Sequence, residues 1–81
     1  MAIHTFKIDT GSPHTVRIEE THESAILTID GEELYRRRWG LFDVINEEYK
    51  FTLDGTKCKF RVWHAGRLHD CLFYVEDERK L

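Results

Sequence analysis

The sequence predicts an all-β fold: a small antiparallel β-sandwich of about seven to eight strands in two sheets, with a small β-barrel as the alternative. Three observations carry that reading. Val, Ile, Thr and the aromatic residues occupy 27 of the 81 positions, and these residue types fit a pleated, half-buried surface. They fall in short runs that alternate with polar residues, so each run has an apolar side and a polar side. Two gaps between runs hold Asp-Gly, a strong hairpin signal because both central residues of a type I′ turn need positive φ.

The elements follow in chain order. Ile3–Ile8 and Thr15–Glu20 are separated by the turn sequence Thr10-Gly11-Ser12-Pro13. Ser24–Ile29 and Glu32–Trp39 flank Asp30-Gly31, and a two-residue loop there sets Leu27 opposite Leu34 and Ile26 opposite Tyr35. Both faces of this hairpin are partly apolar, as expected of one that packs on a second sheet. Leu41–Lys50 reads two ways: Leu41, Ile45 and Tyr49 have helical spacing, and a strand with a following turn fits equally. Glu48–Leu53 and Cys58–His64 flank Asp54-Gly55, which sets Phe51 opposite Cys58 and Tyr49 opposite Phe60. A symmetric loop at Ala65-Gly66 then leads into His69–Val75, with Phe60 opposite Cys71, Cys58 opposite Phe73 and Trp63 opposite Leu68.

In that register one face of the last three strands carries Tyr49, Phe51, Leu53, Cys58, Phe60, Val62, Cys71, Phe73 and Val75. The other face carries Glu48, Arg61 and Asp70 in a row. A slip of one residue would reverse every side chain, so the agreement of two turns on one apolar face argues for the assignment. Its flaw is Lys50 opposite Lys59, a destabilising like-charge pair.

Length and composition bound the function. Residues 1–81 form a single domain, and a chain of this size buries only about 60–65% of its unfolded surface. That leaves one modest core and no deep cleft. No apolar run approaches the roughly 18 residues of a membrane span, and Met1 to Lys7 lacks the apolar stretch of a signal peptide. A soluble, cytoplasmic protein is expected. The net charge of −3 and pI near 5.9 speak against a dedicated nucleic-acid binder. Cys58 and Cys71 are expected to be reduced and buried as small hydrophobes.

The residues that carry chemistry are present without the spacing that chemistry needs. Cys58, His64, His69 and Cys71 gather on one hairpin but are strung along two strands instead of converging as a tetrahedral site does. Ser12 and Ser24 have no nucleophile-elbow motif and no adjacent base. Glu19-Glu20, Glu32-Glu33 and Glu47-Glu48 are adjacent pairs, which on strands point to opposite faces. There is no glycine-rich phosphate loop. No catalytic residue, cofactor or metal is therefore assigned, and a non-enzymatic protein is expected.

Charge and apolar residues on the outward face are more informative. Glu19 to Glu33 contains six acidic residues and no Lys or Arg, whereas Lys57 to Arg67 contains four basic residues and no acid; Arg36-Arg37-Arg38 is a second basic run. Homo-oligomers joined acidic face to basic strand, or an acidic protein partner, would use this segregation. The candidate interaction patch is Trp63, Leu68, Leu72 and Tyr74 with Arg61, large outward residues beside cations. The same basic and aromatic mix, Lys57, Lys59, Arg61, Trp63 and Tyr74, supports an alternative, a small barrel binding single-stranded nucleic acid.

Several stretches also carry a family likeness. Tyr49-Lys50-Phe51-Thr52-Leu53-Asp54-Gly55, then Cys58-Lys59-Phe60-Arg61-Val62, Ala65-Gly66-Arg67 and Leu72-Phe73-Tyr74-Val75-Glu76-Asp77 resemble the C-terminal β-sandwich domain of the Fas apoptotic inhibitory molecule family. Thr15–Glu20 and the Thr28 to Glu33 hairpin fall in the corresponding order, so the resemblance spans nearly the whole chain. It implies a compact sandwich of two four-stranded antiparallel sheets with no catalytic centre. It further implies an intracellular regulator acting through protein contacts, in suppression of death-receptor apoptosis or restraint of aggregation. Members of that family usually carry two such domains in tandem, and the resemblance here covers one.

Overall fold

A computed structural model describes the whole chain, Met1–Leu81. Strands β1 (Ala2–Asp9), β2 (Pro13–Glu20), β3 (Ser24–Ile29) and β4 (Glu32–Arg38) form one antiparallel sheet in chain order. Strands β5 (Val44–Leu53), β6 (Thr56–Ala65), β7 (Leu68–Val75) and β8 (Glu78–Arg79) form a second, also in chain order. The sheets share no strand, so the architecture is a sandwich of two meanders and not a barrel. No helix is long and apolar enough to cross a membrane.

Period-two alternation places one side of every long strand inside. Val16 and Ile18 of β2, Ala25, Leu27 and Ile29 of β3, Phe60 and Val62 of β6, and Cys71, Phe73 and Val75 of β7 form the core. Aromatic rings bridge the layers: Phe6 meets Phe73 edge-on at 5.7 Å, and Tyr35 stacks on Tyr49 at 5.1 Å while meeting Phe60 edge-on at 5.8 Å. Such offset and T-shaped arrangements suit the ring quadrupoles.

The two Asp-Gly turns form as expected, with positive φ at Asp30, Gly31, Asp54 and Gly55. Leu41–Lys50 resolves as strand from Val44 onward, preceded by a tight turn in which the Gly40 amide donates to Asp43 Oδ2 at 2.6 Å. Ile45 and Tyr49 are four apart, a spacing that serves a helix face and a strand face alike. An opposing sheet to bury them selects the strand.

Two expected registers are corrected. The loop between β6 and β7 is Gly66-Arg67, so Phe60 faces Phe73, Cys58 faces Val75, Val62 faces Cys71 and Trp63 faces Asp70. A type I′ turn at Ala65-Gly66 would force Ala65 to positive φ. Moving the loop by one residue puts Gly66 alone in that region, at the first central position as in a type II′ turn. The shift is two residues in register, so the inward face survives while the Glu48–Arg61–Asp70 row does not: Arg61 neighbours Glu48 and Leu72.

The second correction is a bulge in the β3–β4 hairpin. Ile29 and Thr28 face Glu32 and Glu33 as expected, but Leu27 then faces Tyr35 and Ile26 faces Arg36. Leu34 is the extra residue, and its insertion turns Tyr35 and Arg37 inward. Both find partners on the other sheet. Tyr35 Oη donates to Glu47 Oε1 at 3.0 Å and Arg37 Nε donates to the same atom at 2.9 Å. Burial, then the Glu47 hydrogen bond, pushes the Tyr35 hydroxyl up to about 12.

Cys58 and Cys71 are buried and free. Cys71 lies beside Val62, four residues along β6 from Cys58, a separation of about 13 Å at strand rise and well outside disulfide reach. Burial raises both thiol pKa values, with Glu76 adding to the effect at Cys58 and Glu20 and Asp70 at Cys71, so neither carries an activated thiolate.

Candidate functional site

The outward face of the second sheet is a grid set by strand pairing. Its rows read Val44–Ala65–Leu68, Asn46–Trp63–Asp70, Glu48–Arg61–Leu72 and Lys50–Lys59–Tyr74–Arg79. All five residues of the expected patch, Arg61, Trp63, Leu68, Leu72 and Tyr74, fall on this face, where Leu68 is 66% exposed and the other four are half-buried. Trp63 lies beside Asp70 and not beside Leu68.

Sequence reasoning missed the apolar end of the grid. Val44 is 81% exposed and Phe42 93% exposed, with Leu41 exposed beside them. The turn that projects Phe42 is anchored from behind, because the buried His64 ring bonds the Asp43 carbonyl through Nδ1 at 2.8 Å and stacks on Trp39. The signal was present: stepping back by twos from Leu53, Phe51 and Tyr49 puts Ile45 inside and Val44 outside. Reading Leu41 and Ile45 as one helical stripe hid it.

Charge is distributed differently from the linear pattern. Of the six acids between Glu19 and Glu33, four are paired within the molecule: Glu19 with Arg17, Glu20 with His69, Asp30 with His14 and Glu33 with Arg36. Glu23 and Glu32 are the two acids of that run outside these pairs. In the basic run, the only hydrogen bond from a Lys or Arg side chain goes to a neutral partner, Asn46 Oδ1, which accepts from Arg61 Nε at 3.2 Å.

Histidine–carboxylate contacts close both ends of the sandwich. At one end His14 donates through Nδ1 to Asp30 Oδ2 at 2.6 Å and through Nε2 to Asp54 Oδ2 at 2.8 Å. Ser12 Oγ also donates to Asp54 Oδ2, at 2.7 Å. Ser12, His14 and Asp30 thus stand in the order of a hydrolase triad, a neighbour relation the sequence reading did not anticipate. The ring is held as an imidazolium between two carboxylates, however, so Nε2 has no lone pair with which to take the Ser12 proton. At the other end Glu20 receives His69 Nδ1 at 2.6 Å, with His4 Nε2 3.8 Å from its second oxygen. No group of three or more His, Cys, Asp or Glu side chains converges so as to hold a metal ion. His64 and His69 face one another across β6 and β7, whereas Cys58 lies toward the far end of β6.

The His14 clasp makes stability pH-dependent, with the sign set by each partner. Hydrogen bonds donated to Asp30 and then to Asp54 raise the His14 pKa above 6.5; its contribution is complete below about 6.5 and disappears as pH rises through the raised value. Hydrogen bonds from His14, Ser12 and Thr10 hold Asp54 at about 2, down from 3.8; that contribution is present above about 3.8 and is lost as pH falls toward 2. The melting temperature is expected to peak between about pH 4 and 6.5 and to fall on both sides. His14→Gln should abolish the alkaline limb. An alkaline limb of equal size in that variant would show that other groups govern it.

No known protein family, curated protein or solved structure matches the chain.

Proposed function

We propose that this chain is a non-enzymatic protein-interaction module whose contact surface is the apolar end of the outward face of the second sheet. The observation that carries the reading is the exposed row Val44–Ala65–Leu68 lying beside Trp63, with Phe42 projecting from the adjoining turn. Large apolar groups gathered outward on a small domain mark interaction surfaces, and a Trp next to an Arg is a common energetic anchor of such contacts. The two clasps and the core account for His14, His69 and both cysteines as structural. The resemblance of the β5–β6 and β7 sequences to the Fas apoptotic inhibitory molecule family supports the same class of function, regulation by contact with a protein partner.

The test compares wild type with Trp63→Ala and with the double variant Phe42→Ser, Leu68→Ser. Phe42 and Leu68 bury little, so the double variant is expected to keep its melting temperature within a few degrees. Partners captured from native lysate should bind the variants at least about tenfold more weakly, the scale of one lost anchor. Folded variants that retain wild-type affinity for every captured partner would overturn the reading.

A further inference from the structure

The opposite end of the same face presents a different chemistry. The row Lys50–Lys59–Tyr74–Arg79 crosses all four strands of the second sheet, and Lys57 follows two residues from Lys59 on the same side of β6. Lys50, Lys57, Lys59 and Tyr74 line an open depression of about 510 Å³, with Glu76 and Asp77 also in its wall. Of the twelve Lys and Arg residues, four form ion pairs: Arg17 with Glu19, Arg36 with Glu33, Arg37 with Glu47 and Lys80 with Glu78. None of Lys50, Lys57, Lys59 and Arg79 forms such a pair.

Like charges directly across strands oppose folding, and a chain with three more acids than bases has carboxylates to neutralise them. Local violations of this kind concentrate at functional sites. The Lys59 ammonium is held by the Tyr74 ring, 4.5 Å from its centroid, a cation–π contact that keeps the charge over the depression.

We infer that this depression binds an oligophosphate, the phosphate chain of a nucleotide or the backbone of a single nucleic-acid strand. Lysine ammoniums act as compact point charges toward phosphate. Lys57 and Lys59 stand about 6.6 Å apart along β6, and Lys50 and Lys59 about 5 Å apart across the ladder, a spacing for consecutive anionic groups. The three lysines outnumber Glu76 and Asp77 in the wall by one, and a compact oligophosphate can set a separate anionic oxygen against each ammonium. A peptide brings at most one carboxylate per residue, and the depression has the size of a small-molecule site. Glu76 and Asp77 oppose the ligand and moderate its affinity. The inference does not depend on the protein-contact reading, which uses the other end of the sheet.

Titration calorimetry of the full chain at low ionic strength, with inorganic tripolyphosphate, ATP and a ten-residue oligothymidylate as probes, tests it. Tripolyphosphate and ATP are expected to bind, with affinity falling steeply as salt rises. Lys59→Gln and Lys50→Gln should each weaken binding several-fold, and together at least tenfold. Glu76→Gln with Asp77→Asn should tighten it, and Arg36→Gln, on the other sheet, should leave it unchanged. Lys50→Gln relieves a repulsion, so its melting temperature should equal or exceed that of wild type, which separates lost binding from lost folding. An oligothymidylate that binds tenfold tighter than tripolyphosphate identifies a strand as the source of the phosphates; equal or weaker binding identifies a free oligophosphate. Absence of binding by all three probes at millimolar concentration, unchanged affinity in the double lysine variant, or tighter binding of an oligoglutamate peptide than of tripolyphosphate would overturn the assignment.

Discussion

Phe60→Ala is expected to remove about 3–5 kcal/mol of stability, the usual cost of truncating a fully buried Phe. Phe60 has no exposed surface. It faces Tyr49 on one neighbouring strand and Phe73 on the other, and Tyr35 of the opposite sheet meets its ring edge-on. The void left by its removal is therefore lined by rings from both layers, which cannot all collapse inward without losing contacts elsewhere. A domain of this length holds roughly 4–12 kcal/mol in total, so the variant should lose from about a quarter to all of its stability. Arg61, the next residue, points outward and donates one hydrogen bond to Asn46; Arg61→Ala should cost no more than about 1 kcal/mol. Chemical denaturation of the two variants checks both numbers, and equal midpoints would refute the face assignment.

Glu20→Ala is expected to cost about 2 kcal/mol. The Glu20 side chain is only 7% exposed, and it accepts from His69 at 2.6 Å. His22 packs edge-on against His69 from the β2–β3 turn, 5.5 Å away. Removing the acceptor of a largely buried hydrogen bond typically costs about 1–3 kcal/mol, and the partial exposure of His69 and His4 keeps the cost below the top of that range. Glu20→Gln keeps an acceptor and nearly the same volume, so it should recover at least half of the loss. If Ala and Gln variants melt together, the hydrogen bond is not what stabilises this end of the sandwich.

Both effects concern side chains whose inward direction follows from strand alternation, yet their weights differ in how legible they were. Phe60 stands out in the sequence because Tyr49, Phe51, Val62 and Phe73 share its parity around a turn of known type. Glu20 does not: it shares the inward parity of Val16 and Ile18, but nothing in the Thr15–Glu20 run supplies a partner for a carboxylate there, because the group that satisfies it, His69, is 49 residues away. The same is true of the His14 clasp, where Asp54 reaches across from the other sheet. The acidic run looked like a free surface for that reason.

The candidate site divides similarly. The outward direction of Arg61, Trp63, Leu68, Leu72 and Tyr74 was readable from parity alone, as was the conflict between Lys50 and Lys59. Which residues sit beside which was not, since Gly66-Arg67 replaces Ala65-Gly66 as the loop and moves every β6–β7 neighbour by two.

What the sequence by itself determined is local: the strands, their inward faces and the two Asp-Gly turns, because a two-residue period and positive φ are properties of a few adjacent residues. What only the tertiary structure decided depends on partners distant in the chain. The Leu34 bulge turns Tyr35 and Arg37 inward because Tyr49, Phe60 and Glu47 await them on the other sheet. Leu41–Lys50 becomes a turn and a strand because Ile45 gains a layer to be buried against, while Phe42 and Val44 gain none and stay in solvent.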